Sequence, residues 1–229
     1  MPTTSRTHLD AIDRKVAERS LLLHPFYQCW ARGELSQAAL RDYAAQYYHH
    51  VAAFPTYLSA LHSHMADPAC RRRILDNLID EEAGDPNHPE LWLRFAESLG
   101  ASRQEVEHAS LWEETRSLID TYRSICRDGT TGEGLAALYA YESQIPAVAE
   151  SKIDGLTRHY GIDDPGGLAY FQVHVEADRE HSRVERSLLE SSLSDRNAPA
   201  VMQSVDQALH ALWEMLSGVC RRHQIAAEC

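Results

Sequence analysis

Between residues 170 and 193 a run of helical apolar period carries His174-Val-Glu-Ala-Asp178-Arg-Glu-His181. At about 100° per residue, steps of four and seven place positions 174, 178 and 181 on one narrow helix face, while Glu176, Arg179 and Glu180 point elsewhere. Two imidazoles and a carboxylate aligned in this way are ligands for a divalent metal of intermediate hardness, iron or manganese, and zinc accepts the same donors. An ordinary charged helix face can carry the same triplet, so the other acids and histidines of the chain carry weight.

A second group of donors lies upstream. Glu81 and Glu82 fall in the last turn of a helix opened by Pro68, where the helix dipole disfavours acids and a cation is wanted. Gly84-Asp-Pro-Asn-His88-Pro89 then turns the chain tightly, so that a carboxylate before the turn and an imidazole after it can meet. Glu142 precedes a bend expected at Pro146. Together, Glu81, His88, Glu142, His174, Asp178 and His181 give three carboxylates and three imidazoles, −3 against the +4 of two divalent ions. Such a cluster is nearly neutralised, and six protein ligands leave open coordination positions where dioxygen can bind. Helical bundles build dimetal carboxylate sites from inward Glu and His residues on facing helices.

The elements that must position these groups read as helices throughout. Eleven glycines and nine prolines fall mostly between segments of helical period, and no stretch alternates like a strand, so the fold class is all-α. Helices are expected over 9–22, 25–31, 36–65 with an internal bend at Pro55, 68–84 with Ile74, Leu75, Leu78 and Ile79 inward, and 90–99. A further helical region runs from the capping box Ser102-Arg-Gln-Glu105 to Arg127, followed by 135–160 bent at Pro146, the metal-motif helix, and 199–224. With no repeat and no low-complexity tract, 1–229 is expected to form a single domain. Tyr43, Tyr47 and His50 share a face by the same spacing of four and seven, so ring hydroxyls and an imidazole line a common interior or a packed aromatic seam.

The net charge of −12 and the absence of a basic patch argue against nucleic acid or an anionic membrane as partner. Five cysteines without metal-finger spacing fit a reducing compartment, and no apolar segment approaches a membrane span, so the expected location is the cytoplasm. Only two lysines occur, Lys15 and Lys152, which makes Lys152 conspicuous.

The segments Leu23-His-Pro-Phe-Tyr27, Asn77-Leu-Ile-Asp-Glu81-Glu82, His88-Pro-Glu-Leu-Trp92 and His174 to His181 resemble the family of the Chlamydia protein associating with death domains. That family lies in the haem-oxygenase-like (TenA/PqqC-like) superfamily, with thiaminase II and the pyrroloquinoline-quinone synthase. The resemblance covers nearly the whole chain. It implies a bundle of seven to eight helices, with the six residues above as ligands of an Fe/Fe, Fe/Mn or Mn/Mn pair that activates dioxygen with an external reductant. It further implies synthesis of p-aminobenzoate for folate from one of the protein's own tyrosines. Tyr27 matches the sacrificed ring, Lys152 matches the lysine supplying nitrogen, and Tyr43 and Tyr141 match positions for radical relay or an alternative ring. For its amine to attack, Lys152 must be neutral, which requires a desolvated pocket. Alternative readings are a dimetal oxygenase or oxidase acting on a diffusible small molecule, and a protein binding death domains. Nothing in the acidic composition selects a death-domain partner, and a homodimer is the expected assembly.

Overall fold

The computed structural model describes residues 4–225; residues 1–3 and 226–229, among them Cys229, lie outside it. Within it the chain is helical, with no strand among the described residues. In chain order the helices are α1 (Thr4–Glu18), α2 (Pro25–Arg32), α3 (Gln37–His64), α4 (Pro68–Glu82), α5 (His88–Ser98) and α6 (Arg103–Glu107). They continue with α7 (Glu113–Asp128), α8 (Thr131–Glu142), α9 (Ile145–Gly155), α10 (Pro165–Ser192) and α11 (Ala198–Arg222). Among the described residues eleven α-helices therefore stand where nine segments read as helical and the resemblance implied seven to eight, because two of the nine segments are broken.

Each break has a visible cause. The region expected to run unbroken to Arg127 unwinds between α6 and α7, where the buried carboxamide of Gln46 on α3 takes over the backbone. Its Nε2 donates to Ser110 O at 3.1 Å, and its Oε1 accepts from Trp112 N at 3.0 Å and from Thr115 Oγ1 at 2.8 Å. Those groups need no further helix to satisfy them. The region expected as one bent helix over 135–160 is interrupted at Ser143 and Gln144, ahead of Pro146, which has no N–H to continue the ladder. Gln144 binds across the gap, donating to Ala140 O at 2.7 Å and accepting from Leu21 N at 2.8 Å. By contrast α3 continues through Pro55 without ending.

Caps set the starts of the helices that matter for the site. Asp67, Asn87 and Asp164 accept from the backbone of the first turns of α4, α5 and α10, and Pro68, Pro89 and Pro165 occupy the early positions where a missing N–H costs nothing. The α10 helix packs against α5, α8 and α9, while α3 packs against α4, α5 and α7, so the core lies between these two long helices. In α4 only Ile74 of the four expected inward apolar residues is fully buried; Leu78 is half-buried and Leu75 and Ile79 are exposed. The buried stripe of α4 instead continues through Asn77 and Glu81, so this helix turns polar groups inward.

Candidate metal centre

Four helices deliver the six candidate ligands to one place. Glu81 sits in the last turn of α4, His88 opens α5, Glu142 ends α8, and His174, Asp178 and His181 stand on α10. All six are buried, with exposures from 0 to 6 %. Two overlapping groups have ligand atoms within 4.8 Å of one another: Glu81, His88 and His174, and Glu81, Glu142 and His181. Glu81 belongs to both.

The contacts are short but unfinished. His88 Nδ1 lies 2.8 Å from Glu81 Oε2, an ion-pair contact out of line for a hydrogen bond. His181 Nδ1 stands 3.6 Å from both Glu142 Oε1 and Asp178 Oδ1, too far to donate to either, and Asp178 Oδ2 has no hydrogen-bond partner among the described residues. Buried polar atoms are normally satisfied, so this concentration of orphans marks a place built for something else. Carboxylate oxygens and imidazole nitrogens are the donor set of iron and manganese, and the residues present fit such ions.

Neighbouring groups hold the ligands in orientation. The Nδ1–H of His174 donates to Tyr170 O at 2.6 Å, which leaves the lone pair on Nε2. The Tyr170 ring stacks on this imidazole with centroids 4.0 Å apart. Asn77 Nδ2 donates to both oxygens of Glu142, at 3.0 and 3.3 Å, and His181 Nε2 bonds to Asp80 Oδ2 at 3.1 Å. Electrostatics follow from burial and crowding. Desolvation, with the charges of Glu142 and Glu81 added, pushes Asp178 up to about 8. Burial would lower His181, but Asp178 and Glu142 outweigh it and raise it to about 11; for His88 the Glu81 carboxylate likewise overrides burial. His174 is held well below its ordinary value by burial and by His88.

Beside this cluster lies a shell of aromatic rings around one amine. Lys152, on α9, is 4 % exposed, and its Nζ lies 5.0 to 6.0 Å from the ring centroids of Tyr27, Trp30, Tyr43, Tyr47, Trp92 and Phe171. Its Nζ donates to Tyr43 OH at 2.6 Å, with no carboxylate paired to it among the described residues. Desolvation alone holds the amine well below its ordinary value. Tyr27 OH is 3.3 Å from Tyr43 OH, and Tyr47 OH is 2.8 Å from Tyr141 OH. Burial raises Tyr43, Tyr47 and Tyr141 well above the ordinary phenol range, so all three are neutral. The four tyrosine hydroxyls thus form two contacts, Tyr27–Tyr43 and Tyr47–Tyr141, the first of them bonded to the lysine through Tyr43.

Residues that sequence reasoning left aside also belong here. Tyr170, Trp92 and Phe171 complete the aromatic walls, Asn77 orients Glu142, and Glu185 is buried beside Glu142. Glu185 lies four residues past His181, a spacing that continues the ligand face, whereas nothing local distinguishes Asn77 from a surface amide.

Comparison with known proteins gives concordant results. The model of a family described as iron-containing redox enzymes matches residues 41–213. A 4-aminobenzoate synthase of Chlamydia pneumoniae is 42 % identical over 209 residues, covering 91 % of this chain and 93 % of its own. A 4-aminobenzoate synthase of Nitrosomonas europaea is 41 % identical over 225 residues, covering 94 % of this chain and 92 % of its own. Among solved structures, a domain with a haem oxygenase-like fold from Shewanella denitrificans superimposes with a TM-score of 0.79 at 17 % identity, covering 94 % of this chain and 93 % of that one.

Proposed function

The chain belongs to the haem-oxygenase-like family of iron-containing redox enzymes, and on that premise we propose that it makes p-aminobenzoate from its own Tyr27, with Lys152 as the amino donor. Glu81, His88, Glu142, His174, Asp178 and His181 would hold two divalent ions, iron or manganese. With dioxygen as co-substrate and an external reductant, such a pair supplies one-electron oxidising power next to the tyrosine shell.

The protein's own residues prepare the nitrogen and the ring. The single observation that carries the reading is the uncharged setting of Lys152: a buried amine among six aromatic rings, 5.5 Å from the Tyr27 ring centroid, hydrogen-bonded among the described residues to a phenol alone. An ammonium has no lone pair, so a neutral amine is the form able to attack carbon. Tyr27 already carries the para substitution of the product, an oxygen-bearing carbon opposite the side-chain carbon. Tyr43, accepting from Lys152 and touching Tyr27, holds amine and ring together. The Tyr47–Tyr141 pair offers a hydroxyl contact through which a phenolic proton can move when a ring is oxidised. Packing around the amine keeps water from protonating it or competing with it. Because ring and nitrogen come from the chain itself, each molecule acts once.

The test is to load the protein anaerobically with Fe(II) and Mn(II), admit dioxygen with a reductant, and measure metal content, p-aminobenzoate and intact mass together. About two metals per chain, product, and a matching mass loss, all but the metals abolished in Tyr27→Phe, establish the reading. Two metals with no product and an unchanged mass point instead to an oxygenase of a diffusible substrate. No bound metal overturns both.

A further inference from the structure

Glu185 stands on α10 one turn beyond His181, so that 174, 178, 181 and 185 form one continuous buried face. It is fully buried, and neither of its carboxylate oxygens has a hydrogen-bond partner among the described residues. Its carboxylate comes within hydrogen-bonding reach of Glu142, which takes both hydrogen bonds of Asn77 Nδ2. Two groups that accept but do not donate therefore face each other in a dry interior. Such a contact is repulsive unless a positive charge lies between the acids, and the charge must be either a proton or a metal ion.

We propose that Glu185 is a seventh ligand of the dimetal centre, bound to the ion that Glu142 and His181 hold. This rests on the reading of the cluster as a metal pair. Three observations support it. With Glu185 included, four carboxylates meet the four positive charges of two divalent ions, so the buried site is neutral without a proton. No lysine or arginine bonds to Glu142, Asp178 or Glu185 among the described residues, and the imidazole of His181, itself one of the ligands, stands 3.6 Å from Glu142 and Asp178. A cavity of about 170 Å³ whose lining includes Arg73, Ile74, Asn77, Asp80, His181 and Glu185 lies on this side of the cluster. If a proton sat between the acids instead, Glu185 would only position Glu142 by donating to it.

Glu185→Gln separates the two. A glutamine amide can donate to Glu142 as a protonated acid would, but its neutral carbonyl is a poor substitute for an anionic ligand. Equilibrium titration of the metal-free protein with Mn(II), with bound metal counted and Mn(II) electron paramagnetic resonance recorded, should find two ions in the wild type. In Glu185→Gln one of them should bind at least tenfold more weakly with an altered spectrum, while the other is unchanged. Two ions at wild-type affinity in Glu185→Gln would overturn the role of Glu185 and leave the metal pair standing; no ion in the wild type would overturn both. Thermal unfolding of the metal-free variant checks the fold. Should Glu185→Gln not fold, Glu185→Asp, which withdraws the carboxylate by one methylene, replaces it. A weakened second ion in that variant supports ligation, and wild-type affinity contradicts it.

Discussion

The amine of Lys152 donates a 2.6 Å hydrogen bond to the hydroxyl of Tyr43, and six aromatic rings surround it with centroids 5.0 to 6.0 Å away. A lysine placed so is a weak base, and its charge state connects stability to pH in a direction that can be worked out. In the unfolded chain the amine holds its proton up to about pH 10.4, whereas in the folded protein burial strips it at lower pH. Between those two values the unfolded state binds the extra proton, so stability rises with pH.

Lys152→Met should remove that slope. Comparing urea unfolding of wild type and Lys152→Met at pH 7, 8 and 9, the wild type should gain on the variant as pH rises, by up to about 1.4 kcal/mol per pH unit where the folded amine is neutral. Equal slopes would mean that the amine stays charged when folded. The variant should also release no p-aminobenzoate.

Tyr43→Phe deprives the buried amine of its hydrogen-bond acceptor and Tyr27 of its hydroxyl neighbour. Stranding a buried polar group costs about 1–3 kcal/mol, so the urea midpoint should fall. Product yield in a single turnover should fall further than in Tyr47→Phe, which loses the 2.8 Å contact to Tyr141 but leaves Lys152 bonded. Equal yields in the two variants would remove Tyr43 from the role of holding amine and ring together.

Glu81 belongs to both ligand groups, His174 to one. Glu81→Ala should therefore bind fewer than one metal per chain, and His174→Ala about one, counted after equilibration with Mn(II) and removal of the free ion. Metal at a hundred times its dissociation constant should stabilise the wild type by about 2.7 kcal/mol per site, and a chelator should reverse the gain. Full stabilisation of Glu81→Ala would show that the bound ions lie elsewhere.

At Gly155 an added Cβ would come within 2.6 Å of Cδ1 and Nε1 of Trp30, a fully buried ring whose indole donates to Lys152 O at 3.3 Å. Overpacking of this kind costs about 1–3 kcal/mol, against up to about 1 kcal/mol returned by the better helix propensity of alanine. Gly155→Ala should lower Tm by about 2–4 °C and reduce product yield through the displaced ring, with metal content unchanged. An unchanged Tm would show that the ring yields freely.

The face formed by His174, Asp178 and His181 needed only the sequence, because residues on one helix keep a fixed angular relation whatever surrounds them. The same holds for the caps and prolines that open α4, α5 and α10, and for the turn that carries the chain from Glu81 to His88. The resemblance of four separated segments tied these pieces to Glu142, Tyr27 and Lys152 before any distance was known. What remained out of reach depends on contacts between residues far apart in the chain. The side chain of Gln46, more than sixty residues away, unwinds the backbone between α6 and α7. Leu75 and Ile79 share the apolar character of Ile74, yet α4 has only one narrow face against the bundle, and Asn77 and Glu81 occupy it. Glu185 carried the right spacing, but its type is that of Glu180, an exposed neighbour paired with Arg183. Only packing tells them apart: water withdrawn from a carboxylate, an amine or a phenol changes its charge and reactivity, and no local pattern records where the water will be excluded.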